Sequence, residues 1–132
     1  MSTKIFVNLP VKDLRKSVEF FTKVGYSFNP QFTDDNATCM VISDDIYVML
    51  LVEPFFKTFT SKEIVDATKA TEVLVALSCD SREEVDTLVD RALEAGGTQV
   101  GQQDHGFMYN RSYADLDGHI WEILWMDPAH VE

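Results

Sequence analysis

An internal repeat constrains this chain more than any other feature. Sliding the sequence by 68 residues sets Phe6-Val7-Asn8-Leu9 against Leu74-Val75-Ala76-Leu77, and each segment then leads into a helical pattern. Residues 4–9 are predicted as a strand, with Ile5, Val7 and Leu9 on one face and Phe6 and Asn8 on the other. Asp13 is placed to cap a helix whose apolar positions Leu14, Val18, Phe21 and Val24 recur near helical spacing, and Gly25 ends it. Strands are expected at 26–31, 38–43 and Ile46–Val52, the last two joined by a tight Asp44-Asp45 turn.

The second half repeats the plan. Residues 73–79 read as a strand, and Ser81 with Glu84 forms a capping box. Val85, Leu88, Val89, Ala92 and Leu93 make an amphipathic stripe that Gly96-Gly97 stops. Strands follow at 98–102, 107–114 and 119–126, with Asp117-Gly118 as the hairpin signal between the last two. Strand, helix and three strands therefore occur twice, and repeats of this kind settle a fold before composition does. The expected class is α+β: two βαβββ modules, about 4–52 and 72–126, in one pseudo-twofold domain spanning 1–132. Each half alone is small for a stable core, so the halves are expected to act as one domain. A helix covers one face of each mixed sheet, and the other faces are expected to curve around a cleft. The connector 53–71 breaks the pattern: Glu53-Pro54 ends a strand, and Phe55, Phe56 and Phe59 suggest a loop with a helical turn, a lid or a dimer contact.

Charge narrows the partners. Twenty-two Asp and Glu against eleven Lys and Arg leave a net charge of −11, which repels nucleic-acid phosphates and anionic lipid heads. Nucleic acid and membrane are therefore not expected as partners. Such a surface either attracts a cationic ligand or serves solubility alone. The longest apolar run, Ile46–Val52, is far short of the roughly 20 residues needed to span a bilayer. No secretory signal is expected around Met1-Ser2-Thr3-Lys4, and Cys39 and Cys79 sit singly in apolar runs, so the expected compartment is the cytoplasm.

Two stretches carry a family resemblance: Val7-Asn8-Leu9-Pro10-Val11-Lys12-Asp13-Leu14 near the start and Asp115-Leu116-Asp117-Gly118-His119-Ile120-Trp121-Glu122 near the end. With the doubled βαβββ plan they resemble the vicinal oxygen chelate superfamily, which includes glyoxalase I, bleomycin-resistance and fosfomycin-resistance proteins and extradiol dioxygenases. Within it the chain looks most like small proteins described as lactoylglutathione lyase-like. The resemblance implies a homodimer and, in metal-dependent members, four His or Glu ligands on the first and last strand of each module. Those four slots fall here on Phe6, Met49, Leu74 and Glu122. Only Glu122 has a metal-binding side chain, and one carboxylate does not hold a catalytic divalent ion. Glu72 lies two residues from Leu74, about 6.6 Å along a strand, and Glu53 lies about 13 Å from Met49, both too far to substitute. His105 falls in a loop, His119 on the face opposite Glu122, and His130 in the tail. No cofactor is expected, with a divalent metal as the alternative.

The site residues read in two ways. Glu122 faces the cleft among apolar neighbours, as a general base or an anchor for a cationic or hydroxyl-bearing ligand, or as a relic acid bonded to a backbone amide, Asn8 or water. Phe6, Met49 and Leu74 either fill the metal's space or, with Asn8 and Tyr47, line an apolar pocket. Arg111, between Tyr109 and Tyr113, grips a ligand carboxylate or Glu122, or is a surface arginine on an edge strand. Helix acids such as Glu83, Asp86, Asp90 and Glu94 read as solvated surface. The favoured function is binding of a small, partly apolar molecule, with bleomycin-resistance proteins as the precedent by resemblance. The alternatives are a metal-dependent glyoxalase-like lyase or isomerase, a metal-free isomerase using Glu122 as base, and a ligand-free structural dimer.

Overall fold

The computed structural model describes residues 3–129, so His130 lies outside the described residues. The chain divides into two compact units, residues 1–65 and 66–132, and the division falls inside the connector. Each unit holds one four-stranded mixed sheet and one long helix, an α+β arrangement with open sheets.

In the first unit, β1 (Ile5–Val11) leads into α1 (Leu14–Val24), then β2 (Ser27–Asn29), β3 (Ala37–Val41) and β4 (Ile46–Val52), in sheet order β1-β4-β3-β2. β1 and β4 run parallel, Phe6 beside Tyr47 and Asn8 beside Met49. Parallel neighbours need a crossover, so α1 must lie on one sheet face. Asp13 caps it by accepting from the Lys16 amide at 3.0 Å, and Gly25, at φ +125°, closes it with its amide on the Phe21 and Thr22 carbonyls. Phe20, Phe21 and Val24 are buried on the helix, as are Leu9, Val11, Met40, Val48 and Leu50 on the strands. β2 is shorter than the expected 26–31 because Pro30 opens a 3₁₀ turn, Pro30–Phe32, capped by the Asn29 side chain. α2 (Glu53–Phe56) and a second 3₁₀ turn, Lys57–Phe59, supply the helical turn expected of the connector.

The second unit has the same plan: β5 (Leu74–Ser78), α3 (Arg82–Glu94), β6 (Thr98–Asp104), β7 (Met108–Ala114) and β8 (Ile120–Met126), in order β5-β8-β7-β6. Ser81 caps α3 on the Glu84 amide at 3.1 Å, while the Glu84 carboxylate reaches back to the Asp80 amide at 3.2 Å. Val85, Val89 and Ala92 bury α3 against Tyr113, Trp121 and Ile123. β6 runs two residues beyond the expected 102, and its register shifts between Gln99 and Gly101, so Val100 bulges out half-exposed.

The β7–β8 turn is organised by one buried carboxylate. Asp115 accepts from the amides of Asp117 and His119 on one oxygen and from the Trp121 indole Nε1 on the other, at 2.9 to 3.0 Å. Gly118 takes φ +90°, and a Cβ there would stand 2.8 Å from the backbone of Ala67 and Thr68, which packs against the turn. Gly118→Ala is therefore expected to destabilise the protein by more than about 1 kcal/mol, from strain at positive φ plus a backbone clash. Urea unfolding of the two proteins measures this, and equal midpoints would refute it.

Candidate functional site

Helices cover one face of each sheet, so the candidate site residues are sought on the other. On the first sheet, strand alternation puts Phe6 and Asn8 of β1 and Tyr47 and Met49 of β4 on the open face, in adjacent parallel register. The Phe6 and Tyr47 rings stack at 4.9 Å and 13°, and Phe6 remains 50% exposed. Lys4 Nζ lies 5.6 Å from the Tyr47 ring centre and donates to the Asp44 carbonyl at 2.7 Å and the Asp45 carboxylate at 3.3 Å. The Tyr47 hydroxyl donates to the same Asp44 carbonyl at 2.6 Å, and Asn8 donates to the Phe6 carbonyl at 3.1 Å. Cys39, opposite Met49 in β3, is buried, which raises its thiol pKa.

On the second sheet, Glu122 of β8 stands between Ala76 of β5 and Ser112 of β7. Leu74 lies on this face beside Ile120 and is 50% exposed. Glu122 is half-buried, and its carboxylate has no hydrogen bond or ion pair with another described residue. Its strand neighbours Trp121 and Ile123 are fully buried on the helix side, so side chains alternate between the two faces along this strand.

Comparison with known proteins agrees with this architecture. Residues 3–43 match the family model for the bleomycin resistance protein-like N-terminal region. A hypothetical protein from S. aureus is 31% identical, with 95% of each chain covered and a TM-score of 0.78. A glyoxalase/bleomycin resistance protein/dioxygenase family enzyme from Burkholderia phytofirmans shares the fold at TM-score 0.79 and 16% identity, over 95% of this chain and 99% of that one. A glyoxalase-related enzyme from Fulvimarina pelagi does so at TM-score 0.77 and 20% identity, over 95% and 88%. The chain shares the fold of glyoxalase/bleomycin resistance/dioxygenase proteins. No curated protein matches it.

The resemblance assigns four slots to a metal in metal-dependent members. The donor set does not fit one. Phe6, Met49 and Leu74 offer no nitrogen or carboxylate oxygen, and among the described residues no group of three or more His, Cys, Asp or Glu could hold an ion.

Arg111 corrects the sequence reading. It was expected beside Glu122 or on an edge strand, yet β7 is an interior strand and Arg111 pairs in register with the buried Ile123. It therefore lies on the helix side of the sheet, opposite Glu122, and is only 8% exposed. Asp86 and Asp90, one turn apart on α3, accept from its Nη1 at 3.1 and 2.9 Å, and the Tyr109 hydroxyl donates to Asp86 at 2.6 Å. A buried guanidinium needs counter-charges, and this helix face supplies them. Asp86 and Asp90 are thus partners of the core as well as solvated acids. The clue in the sequence was the shared parity of Arg111 with Tyr109 and Tyr113.

Arg82 was not singled out in the sequence. Its guanidinium pairs with both oxygens of Asp104 at 2.7 and 2.8 Å, donates to the Gly106 carbonyl at 2.9 Å and lies over the rings of Tyr109 and Trp125. It ties the start of α3 to the β6–β7 loop that carries His105. The Arg82 bond holds the Asp104 carboxyl far below its ordinary 3.8. A carboxyl depressed in the folded state stabilises above its unfolded pKa and loses that contribution as pH falls below it. Asp104→Asn is accordingly expected to lower Tm at pH 6, with the gap to the parent narrowing progressively as pH falls below about 4. A pH-independent gap in thermal scans would remove the ion pair from the account.

Proposed function

We propose that this chain is a metal-independent, small-molecule-binding member of the superfamily, acting as a homodimer in the cytoplasm. The observation that carries the reading is the content of the four ligand slots: Phe6, Met49, Leu74 and a single carboxylate, Glu122. Phe6 and Leu74 are half-exposed on open sheet faces. They are therefore available to a ligand, as small-molecule sites made of apolar surface with a few placed polar groups require. In the first unit Phe6, Tyr47 and Met49 offer apolar surface beside Asn8, and in the second Leu74 shares its sheet face with Glu122. Exposed Ile5 and Ile46, at the starts of β1 and β4, favour association with a second copy. Among the described residues no helix is long and apolar enough to cross a membrane.

A second reading rests on Glu122. A half-buried carboxylate without a protein partner has the freedom a general base needs, which supports a metal-free isomerase. A metal-dependent lyase has less support, because three slots lack donors.

Titrating chelator-stripped protein with Ni, Zn, Co and Mn by calorimetry and thermal shift is expected to reveal no saturable binding below roughly 100 μM, far weaker than a resident ion held by three or four ligands. One ion per protomer, lost in Glu122→Gln, would overturn the reading. Sedimentation is expected to give twice the 15.0 kDa chain mass, and a monomer at all concentrations would remove the dimer. Turnover of a candidate substrate that disappears in Glu122→Gln would select the isomerase.

A further inference from the structure

We infer that the Glu122 carboxylate receives the cationic nitrogen of a small organic ammonium or amidinium compound, whose apolar body lies on the open face of the second sheet. This rests on the metal-independent binding reading above and names the class of its ligand.

Strand register shows what surrounds Glu122. Across the sheet its row reads Ala76, Glu122, Ser112 and Gly101. Glu122 is the only long side chain in a row of small ones, so ligand atoms have room on either side of the carboxylate. The adjacent positions along β8 are Ile120 and Leu124, which give an apolar body something to lie against.

No basic side chain of this sheet reaches that face. Residues 66–132 contain fourteen Asp and Glu against four Lys and Arg. Of the four, Arg111 is on the helix side with Asp86 and Asp90, and Arg82 is held by Asp104 and the Gly106 carbonyl. Arg91 is on α3 and Lys69 in the connector, so neither belongs to a strand. A partly desolvated carboxylate without a counter-charge favours a positively charged donor over a neutral one, and repels an anion. The surplus negative charge of the unit adds a long-range attraction of the same sign.

The test uses three probes of one shape and three charges: benzamidine, benzyl alcohol and benzoate. Each is titrated into the full, chelator-stripped chain and followed by amide chemical shifts. Benzamidine is expected to shift the amides of Ala76, Ser112 and Ile123 saturably, at least about tenfold more tightly than benzyl alcohol, as a charge-assisted bond requires. Benzoate is expected to cause no shifts there. Glu122→Gln is expected to abolish the difference between benzamidine and benzyl alcohol, while Glu94→Gln on α3 preserves it. Ala76→Lys, which brings a cation beside the carboxylate without removing it, is expected to weaken benzamidine by a similar factor and serves if Glu122→Gln fails to fold. Equal binding of benzamidine and benzyl alcohol, or no saturable shifts with benzamidine, overturns the inference. Equal binding of the two leaves the binding-protein reading standing, whereas tight metal binding at Glu122 would remove that reading itself.

Discussion

The parallel pairing of each unit's first and last strands is the constraint from which the rest follows. β1 lies beside β4 and β5 beside β8, and two parallel neighbours cannot be joined by a tight turn. The chain must cross over, and in both units it does so through a helix that covers one sheet face. The other face is left uncovered by its own helix. Every candidate site residue except Arg111 stands on such a face, because the pairing brings Phe6 beside Tyr47, Asn8 beside Met49 and Ala76 beside Glu122.

The two faces of the second sheet divide the charges sharply. On the helix side, Arg111 meets Asp86 and Asp90, Arg82 meets Asp104, and Asp115 is surrounded by N–H donors. Burial pushes the Asp115 carboxyl above its ordinary value, while its three donors and His119 pull the other way. On the open side stands Glu122, with no protein partner among the described residues. A half-buried acid without a counter-charge, set beside small residues, is open to a donor from outside the chain.

Much of this was legible from residue patterns. Alternation in Ile120–Met126 separated Glu122 from the tryptophans, since a strand with a buried face must put every second residue on it. Asp13 and Ser81 marked both helix starts because short polar side chains satisfy free amides there. The Arg111 reading failed for a physical reason. Parity along a strand says which residues share a face, but whether a strand is interior or at an edge depends on pairing with distant segments. The Val100 bulge was hidden similarly, because it exists only relative to the register of β7. Arg82 gave no local signal, as its partners lie 22 and 24 residues away.

The sequence by itself determined the doubled βαβββ plan, the helix boundaries, the face on which Glu122 stands and the absence of ligating side chains at three metal slots. These follow from periodicity, capping chemistry and residue type, which are properties of neighbouring residues. Only the tertiary structure decided that Arg111 is buried against α3, that Asp115 anchors Trp121, and that Gly118 must admit the backbone of Ala67. Each of these depends on groups brought together by folding, where burial sets the cost of an unpaired charge or an extra atom.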